Sequence, residues 1–248
     1  MNYNPYAPPQ ASPSPQGPLP NGQPQPWSTG EVFPLAWARF KEAWPALVLS
    51  YFIATFATNV VSQAPNLIVL IAGLDPRSGA GLAVRGASLL VALPLSVFLQ
   101  VGLTRIWLAT ARGEAPRVEQ LFSGADRLLP MLGYLVLFGL AVCLGLVFFI
   151  VPGVILAVGL GFGQYYVVDT NLGPVDALKA SWEATRGQRG EIFLLGMAVV
   201  GVNLLGLLTC CVGLLASAPI GFVAVAIAYT RLSGNRPAAA APPAWQGG

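Results

Sequence analysis

Two stretches of this chain, residues 128–168 and 192–230, contain no Asp, Glu, Lys or Arg. Each is about twice the roughly 20 apolar residues that carry an α-helix through a bilayer, so each is expected to cross, turn and cross back. The turns are uncharged as well, reading "FIVPGVI" and "LTCCVGLLASAPIGF". Of the 248 residues, 55% are apolar and only 9% charged, against roughly 25% charged in soluble domains. Lipid is the solvent that this composition predicts.

Reading the apolar runs against charges and Pro/Gly breaks gives six candidate spans: about 45–64, 85–110, 129–150, 152–168, 191–213 and 215–231. Pro65 leaves two readings of "NLIVLIAGL": a kinked continuation of the first span to residue 74, or a short segment at the membrane surface. The expected fold is all-α, an integral membrane domain over residues 31–233 built as three hairpins. Residues 1–34 hold ten of the 22 prolines, mixed with Gln, Ser, Gly and Asn. Such a composition buries too little surface to offset its ordering entropy, so residues 1–30 are expected to be a disordered Pro/Gln-rich tail and residues 234–248 a second. The first 30 residues have neither the Lys/Arg nor the apolar core of a signal peptide.

Lys and Arg flanking short loops favour the cytoplasmic side. With six spans and both termini on one face, that face receives eleven of the 13 basic residues, and the other receives only Arg77 and Arg85. Both termini are therefore expected in the cytoplasm. A net charge of +3 without a basic stripe gives no reason to expect a nucleic-acid partner.

Each hairpin is preceded by a segment with an amphipathic pattern. Phe33, Trp37, Phe40 and Trp44 share one helical face before the first, and Ser28 with Glu31 has capping-box spacing. Pro116 opens a stretch with Val118, Leu121 and Phe122 before the second. Before the third, Gly173-Pro174 suits a helix start and Gly187 a helix end. Val175, Leu178 and Trp182 fall on one side of that helix. Asp176, Lys179, Glu183 and Arg186 fall on the other, at spacings that allow ion pairs along the helix. Three interfacial helices are the expectation, and the residues placed at the headgroup level are Lys179, Trp182, Arg186, Arg189, Arg105 and Arg112.

Signals for chemistry are sparse. The absence of histidine removes His-based acid–base catalysis, and no Cys, Asp or Glu spacing suggests a metal or cofactor site. Cys143, Cys210 and Cys211 sit in apolar runs and read as small packing residues. Gln100, Thr104, Gln164, Asn203, Asn59 and Ser62 fall within spans, where interhelical hydrogen bonding is the usual role. In "AVGLGFG", the pairs Ala157/Gly161 and Gly159/Gly163 have the small-xxx-small spacing of close helix packing, either inside the subunit or across a dimer.

The run "VPGVILAVGLGFGQYYVVDTNLGPVDALKASWEATRG" and the closing "IGFVAVAIAYTRLSG" resemble the membrane domain associated with some bacterial glycerophosphoryl diester phosphodiesterases and YciC-like inner-membrane proteins. "LAWARFKEAWPAL" and "GLTRIWLATARGEAPRVEQLFSG" fit the same layout, so the likeness covers about residues 30–233. It implies a six-helix inner-membrane domain. The phosphodiesterase chemistry of the fused members belongs to a separate soluble barrel for which this chain has no room, so no catalytic residue carries over. The function expected is a non-enzymatic membrane-organising or accessory module without cofactor, whose partners are membrane lipids and, beyond them, other membrane proteins or a second copy. The competing reading is a transporter or channel for a small or lipidic substrate built on Gln100, Gln164 and Asn203.

Overall fold

The computed structural model describes residues 27–208 and 212–234, and every regular element among them is helical. The chain runs through α1 (Thr29–Ile71), α2 (Gly79–Arg112), two short 3-10 turns (Val118–Phe122 and Gly124–Arg127) and α3 (Leu128–Phe148). It continues with α4 (Ile150–Leu160), α5 (Gly163–Asp169), α6 (Pro174–Ala184), α7 (Arg189–Leu208) and α8 (Val212–Leu232). Among the described residues, six helical segments, with α4 and α5 counted together as one, are long and apolar enough to cross a membrane. The chain is a multi-pass helical membrane protein. The expected terminal tails lie almost wholly outside the described residues, as do Cys210 and Cys211; Cys143 is exposed on α3.

α1 runs unbroken through Pro34, Pro45 and Pro65 for 43 residues. That is about 64 Å of helix. "NLIVLI" thus continues the first helix and does not lie apart from it. Proline is tolerated within membrane helices because neighbouring groups and local adjustments satisfy the carbonyls it leaves free. Trp27, inside the expected tail, is 5% exposed and joins the core. Ser28 makes no side-chain cap on α1. Glu191, from the start of α7, caps it instead: the Thr29 backbone N–H donates to Glu191 Oε2 at 3.0 Å and the Thr29 hydroxyl to the same oxygen at 3.1 Å.

The three lead-in segments differ from the uniform interfacial helix that the sequence suggests. The first is simply the opening of α1, and the face it turns to the bundle is Val32, Ala36, Phe40 and Leu47, leaving Trp37 and Trp44 about half exposed. The second is 3-10, not α. Its backbone lies so close to α2 that a Cβ on Gly102 would sit 2.1 Å from the Leu121 carbonyl oxygen, and one on Gly124 the same distance from that of Phe98. The third alone is a separate α-helix.

The span expected over 152–168 is interrupted at Gly161–Phe162, dividing α4 from α5. The core gathers where α1, α2, α5 and α8 meet. Trp107 of α2 stacks on Phe222 of α8 with centroids 4.2 Å apart, and Tyr165 of α5 stacks on Tyr229 of α8 at 5.2 Å. Apolar side chains on the outside, such as Leu140, Leu144 and Val200, are more than half exposed, as expected for faces that meet lipid.

Candidate functional site at the end of the bundle that carries both chain termini

Glu31 near the start of α1 lies 3.9 Å from Arg231 near the end of α8, so both ends of the described chain share one face of the bundle. The polar contacts of α5 and α6 are concentrated there, and they begin with a consequence of the Gly161–Phe162 interruption. A broken helix offers carbonyls that need donors, and inside a membrane domain water does not supply them. Tyr134 of α3 donates its hydroxyl to the Leu160 carbonyl at 3.0 Å. The Gly159 carbonyl accepts from Ser181 Oγ at 2.8 Å and from Thr185 Oγ1 at 3.2 Å. Two hydroxyls of α6 and its following turn therefore hold α6 to the end of α4.

Trp182 lies over the same glycine. A Cβ on Gly159 would fall 2.6 Å from the Trp182 ring, so only glycine admits the indole here. Arg189 packs on the same indole, its guanidinium carbon 3.6 Å from the Trp182 ring centroid. This is a cation–π contact, worth about 0.5–2 kcal/mol depending on desolvation. Nε and Nη2 of Arg189 are buried and find no acceptor, which leaves the ring as the guanidinium's main partner. The buried side of α6 is thus Ala177 and Ser181, continued by Thr185, whereas Val175 is 51% exposed.

Asp169, the last residue of α5, is the second feature. Its Oδ1 pairs with Nη2 of Arg112, the last residue of α2, and its Oδ2 accepts the Tyr229 hydroxyl at 2.9 Å. The Arg112 and Asp169 side chains are 17% and 9% exposed, and Tyr229 is fully buried, with Tyr166 edge-on to its ring at 5.0 Å. One carboxylate ties three helices together. Sequence reasoning placed Asp169 only as an acid closing a span; an isolated carboxylate after 41 uncharged residues, 128–168, is the signal that it needs a partner.

The six residues expected at the headgroup level therefore separate into four groups. Arg105 is spent on the 3-10 turns, bonding the Ser123 hydroxyl at 2.8 Å and both oxygens of Asp126 at 2.7 and 2.9 Å. Arg112 belongs to the Asp169 clamp, and Trp182 with Arg189 to the α4–α6 stack. Of the six, only Lys179 and Arg186 are exposed. The expected ladder of Asp176, Lys179, Glu183 and Arg186 does not form: none of the four has an oppositely charged group within 4.0 Å among the described residues. Side-chain entropy favours this outcome, because an exposed pair gains only about 0.3–0.5 kcal/mol on a helix.

The small residues of the α4–α5 segment serve different contacts. Gly159 receives Trp182, Gly163 receives the Tyr134 ring, and Gly161 lies in the interruption with its Cβ position 2.8 Å from the Ala157 carbonyl oxygen. Of the three polar residues expected to build a transport route, two meet each other and the third has a different partner. Gln100 Nε2 donates to Gln164 Oε1 at 3.3 Å, while Asn203 Oδ1 accepts from Ser217 at 3.0 Å in the α7–α8 pair. Asn59 and Ser62 bond carbonyls of their own helix. No group of three or more Cys, Asp and Glu is arranged for a metal among the described residues.

The chain is 26% identical to an uncharacterised protein of Mycobacterium bovis and to uncharacterised proteins of two Mycobacterium tuberculosis strains. Each alignment covers 92% of this chain and 77% of the relative. No family model and no solved structure matches it.

Proposed function

We propose that this chain is a non-enzymatic module of the bacterial cytoplasmic membrane, with both termini in the cytoplasm, that engages anionic lipid headgroups through the outer face of α6. The observation that carries this reading is the contrast within α6 and the turn after it. Ser181, Thr185 and Trp182 fix the helix to α4, while Lys179 and Arg186 project from it without a carboxylate partner. Asp176 and Glu183 are exposed on the same helix, so the face selects by position and not by bulk charge. A cation held near an anionic leaflet gains roughly 1 kcal/mol. The excess of Lys and Arg on the terminus-bearing face supports the orientation, because such loops favour the cytoplasm. The likeness of residues 30–233 to the phosphodiesterase-associated membrane domain supports the same placement and supplies no catalytic group.

Lipid retention measures this directly. The protein is reconstituted in nanodiscs containing phosphatidylglycerol and phosphatidylcholine, then partly delipidated, and the lipids still bound are weighed by native mass spectrometry. Enrichment of phosphatidylglycerol that falls in the Lys179→Gln/Arg186→Gln variant supports the reading. Equal enrichment in the two proteins overturns it.

A further inference from the structure

A second polar feature lies on a different face, where α1 passes the end of α2. There a cleft of about 430 Å³ is lined by Arg39, Glu42, Pro45, Thr110, Glu114 and Pro116. Gly113 makes room for its cation. Its φ of +80° ends α2 in the left-handed region, and a Cβ at that position would fall 2.9 Å from the Arg39 guanidinium nitrogens. Arg39 can therefore lie across the end of α2. It is poorly neutralised there: Nη1 reaches Glu42 Oε2 only at 3.4 Å, long for a charge-assisted bond, and Nε is buried without an acceptor. Glu114 has no cation within 4.0 Å among the described residues. The Thr110 hydroxyl is already committed to the Ile106 carbonyl at 2.9 Å. One cation and two carboxylates thus face a common space, each with capacity to spare.

The cleft also has an apolar continuation. From Glu42 and Pro45, the same face of α1 runs through Leu49, Phe52 and Phe56, at alternating spacings of three and four. Those three side chains are 49%, 46% and 60% exposed, and the two phenyl rings stack with centroids 5.9 Å apart. A ligand that matches all of this carries an anion and a cation close together at one end and hydrocarbon at the other.

We propose that this cleft seats a zwitterionic aminophospholipid: the phosphate on Arg39, the primary ammonium between Glu42 and Glu114, and the acyl chains along Leu49, Phe52 and Phe56. An ethanolamine headgroup donates hydrogen bonds from its ammonium to the two carboxylates. A choline headgroup has no N–H to donate, so the site discriminates between them. The site is independent of the α6 surface in both position and headgroup chemistry.

The test uses the full chain in nanodiscs holding equal amounts of phosphatidylethanolamine, phosphatidylcholine and phosphatidylglycerol, with retained lipid read by native mass spectrometry. The protein should keep phosphatidylethanolamine over phosphatidylcholine by on the order of tenfold, the scale of one hydrogen bond to a charged group. Glu42→Gln/Glu114→Gln removes no packing and should abolish that preference while raising phosphatidylglycerol retention, because Arg39 is left unopposed. Arg39→Gln should lower both. Lys179→Gln/Arg186→Gln should leave the ethanolamine preference intact, and soluble glycerophosphoethanolamine should not displace the lipid. Equal retention of the ethanolamine and choline lipids overturns the proposal, as does an unchanged carboxylate variant, loss of the preference in the α6 variant, or displacement by the soluble headgroup.

Discussion

Arg112 and Lys179 are both basic residues near the terminus-bearing end of the bundle, yet they occupy opposite physical regimes. Arg112 is 17% exposed and held by a carboxylate that also accepts a tyrosine hydroxyl. Lys179 is exposed on a helix whose anchoring is done entirely by other residues. Away from water a charge costs several kcal/mol unless it is paired and hydrogen-bonded, so the buried one is locked into structure. At the headgroup level the cost vanishes, and the charge stays available to whatever arrives. Prominence of charge in the sequence is therefore no guide to availability; burial decides it.

Breaking the buried side of this contrast has the largest expected effect. Asp169→Ala leaves Arg112 without its counter-charge and Tyr229 without its acceptor, and should cost about 3–5 kcal/mol, seen as a large fall in thermal unfolding temperature in detergent. Tyr229→Phe removes one hydrogen bond to a charged acceptor while keeping the ring stacked on Tyr165, and should cost roughly 1.5–3 kcal/mol. If the two variants were equally mild, the clamp would be no more than a surface pair. Next in size is Gly159→Ala. The added methyl would lie 2.6 Å from the Trp182 ring, so α6 must shift or strain by about 1–3 kcal/mol. Because Trp182 moves with it, its fluorescence should change and Arg186 should become more open to trypsin.

Much of the fold was legible because hydrophobic runs and charge-free turns are properties of composition over twenty residues. The six spanning segments follow from that alone, and the start of α6 at Pro174 follows from the local Gly173-Pro174 step. What escaped were features that depend on contact between distant residues. The capping of α1 by Glu191 replaces the Ser28 and Glu31 box, since the partner lies 162 residues away. The pair Gly159/Gly163 looked like one packing stripe, but the interruption at Gly161–Phe162 sends one glycine to Trp182 and the other to Tyr134. The charge ladder on α6 was written from spacing, and spacing permits a pair without making it favourable. Sequence shows where a cation can be; only the packing around it shows whether it is already taken, as at Arg105, or free, as at Lys179.

The smallest stability effect belongs to the exposed side, and it is the sharpest test of the contrast. Lys179→Gln/Arg186→Gln removes two charges that touch no carboxylate, so unfolding should shift by no more than about 0.5 kcal/mol per site. Anionic-lipid retention should nevertheless fall, and the fall should be larger at low ionic strength, because exposed charges are screened over about 10 Å at 0.1 M salt. Arg189→Gln should do the reverse. Losing the guanidinium over Trp182 should cost about 1 kcal/mol of stability, with little effect on lipid retention, since Nε and Nη2 are already buried away from the headgroups. A double variant that unfolds easily, or an Arg189 variant that loses lipid while keeping its stability, would mean that the two kinds of cation have been assigned the wrong way round.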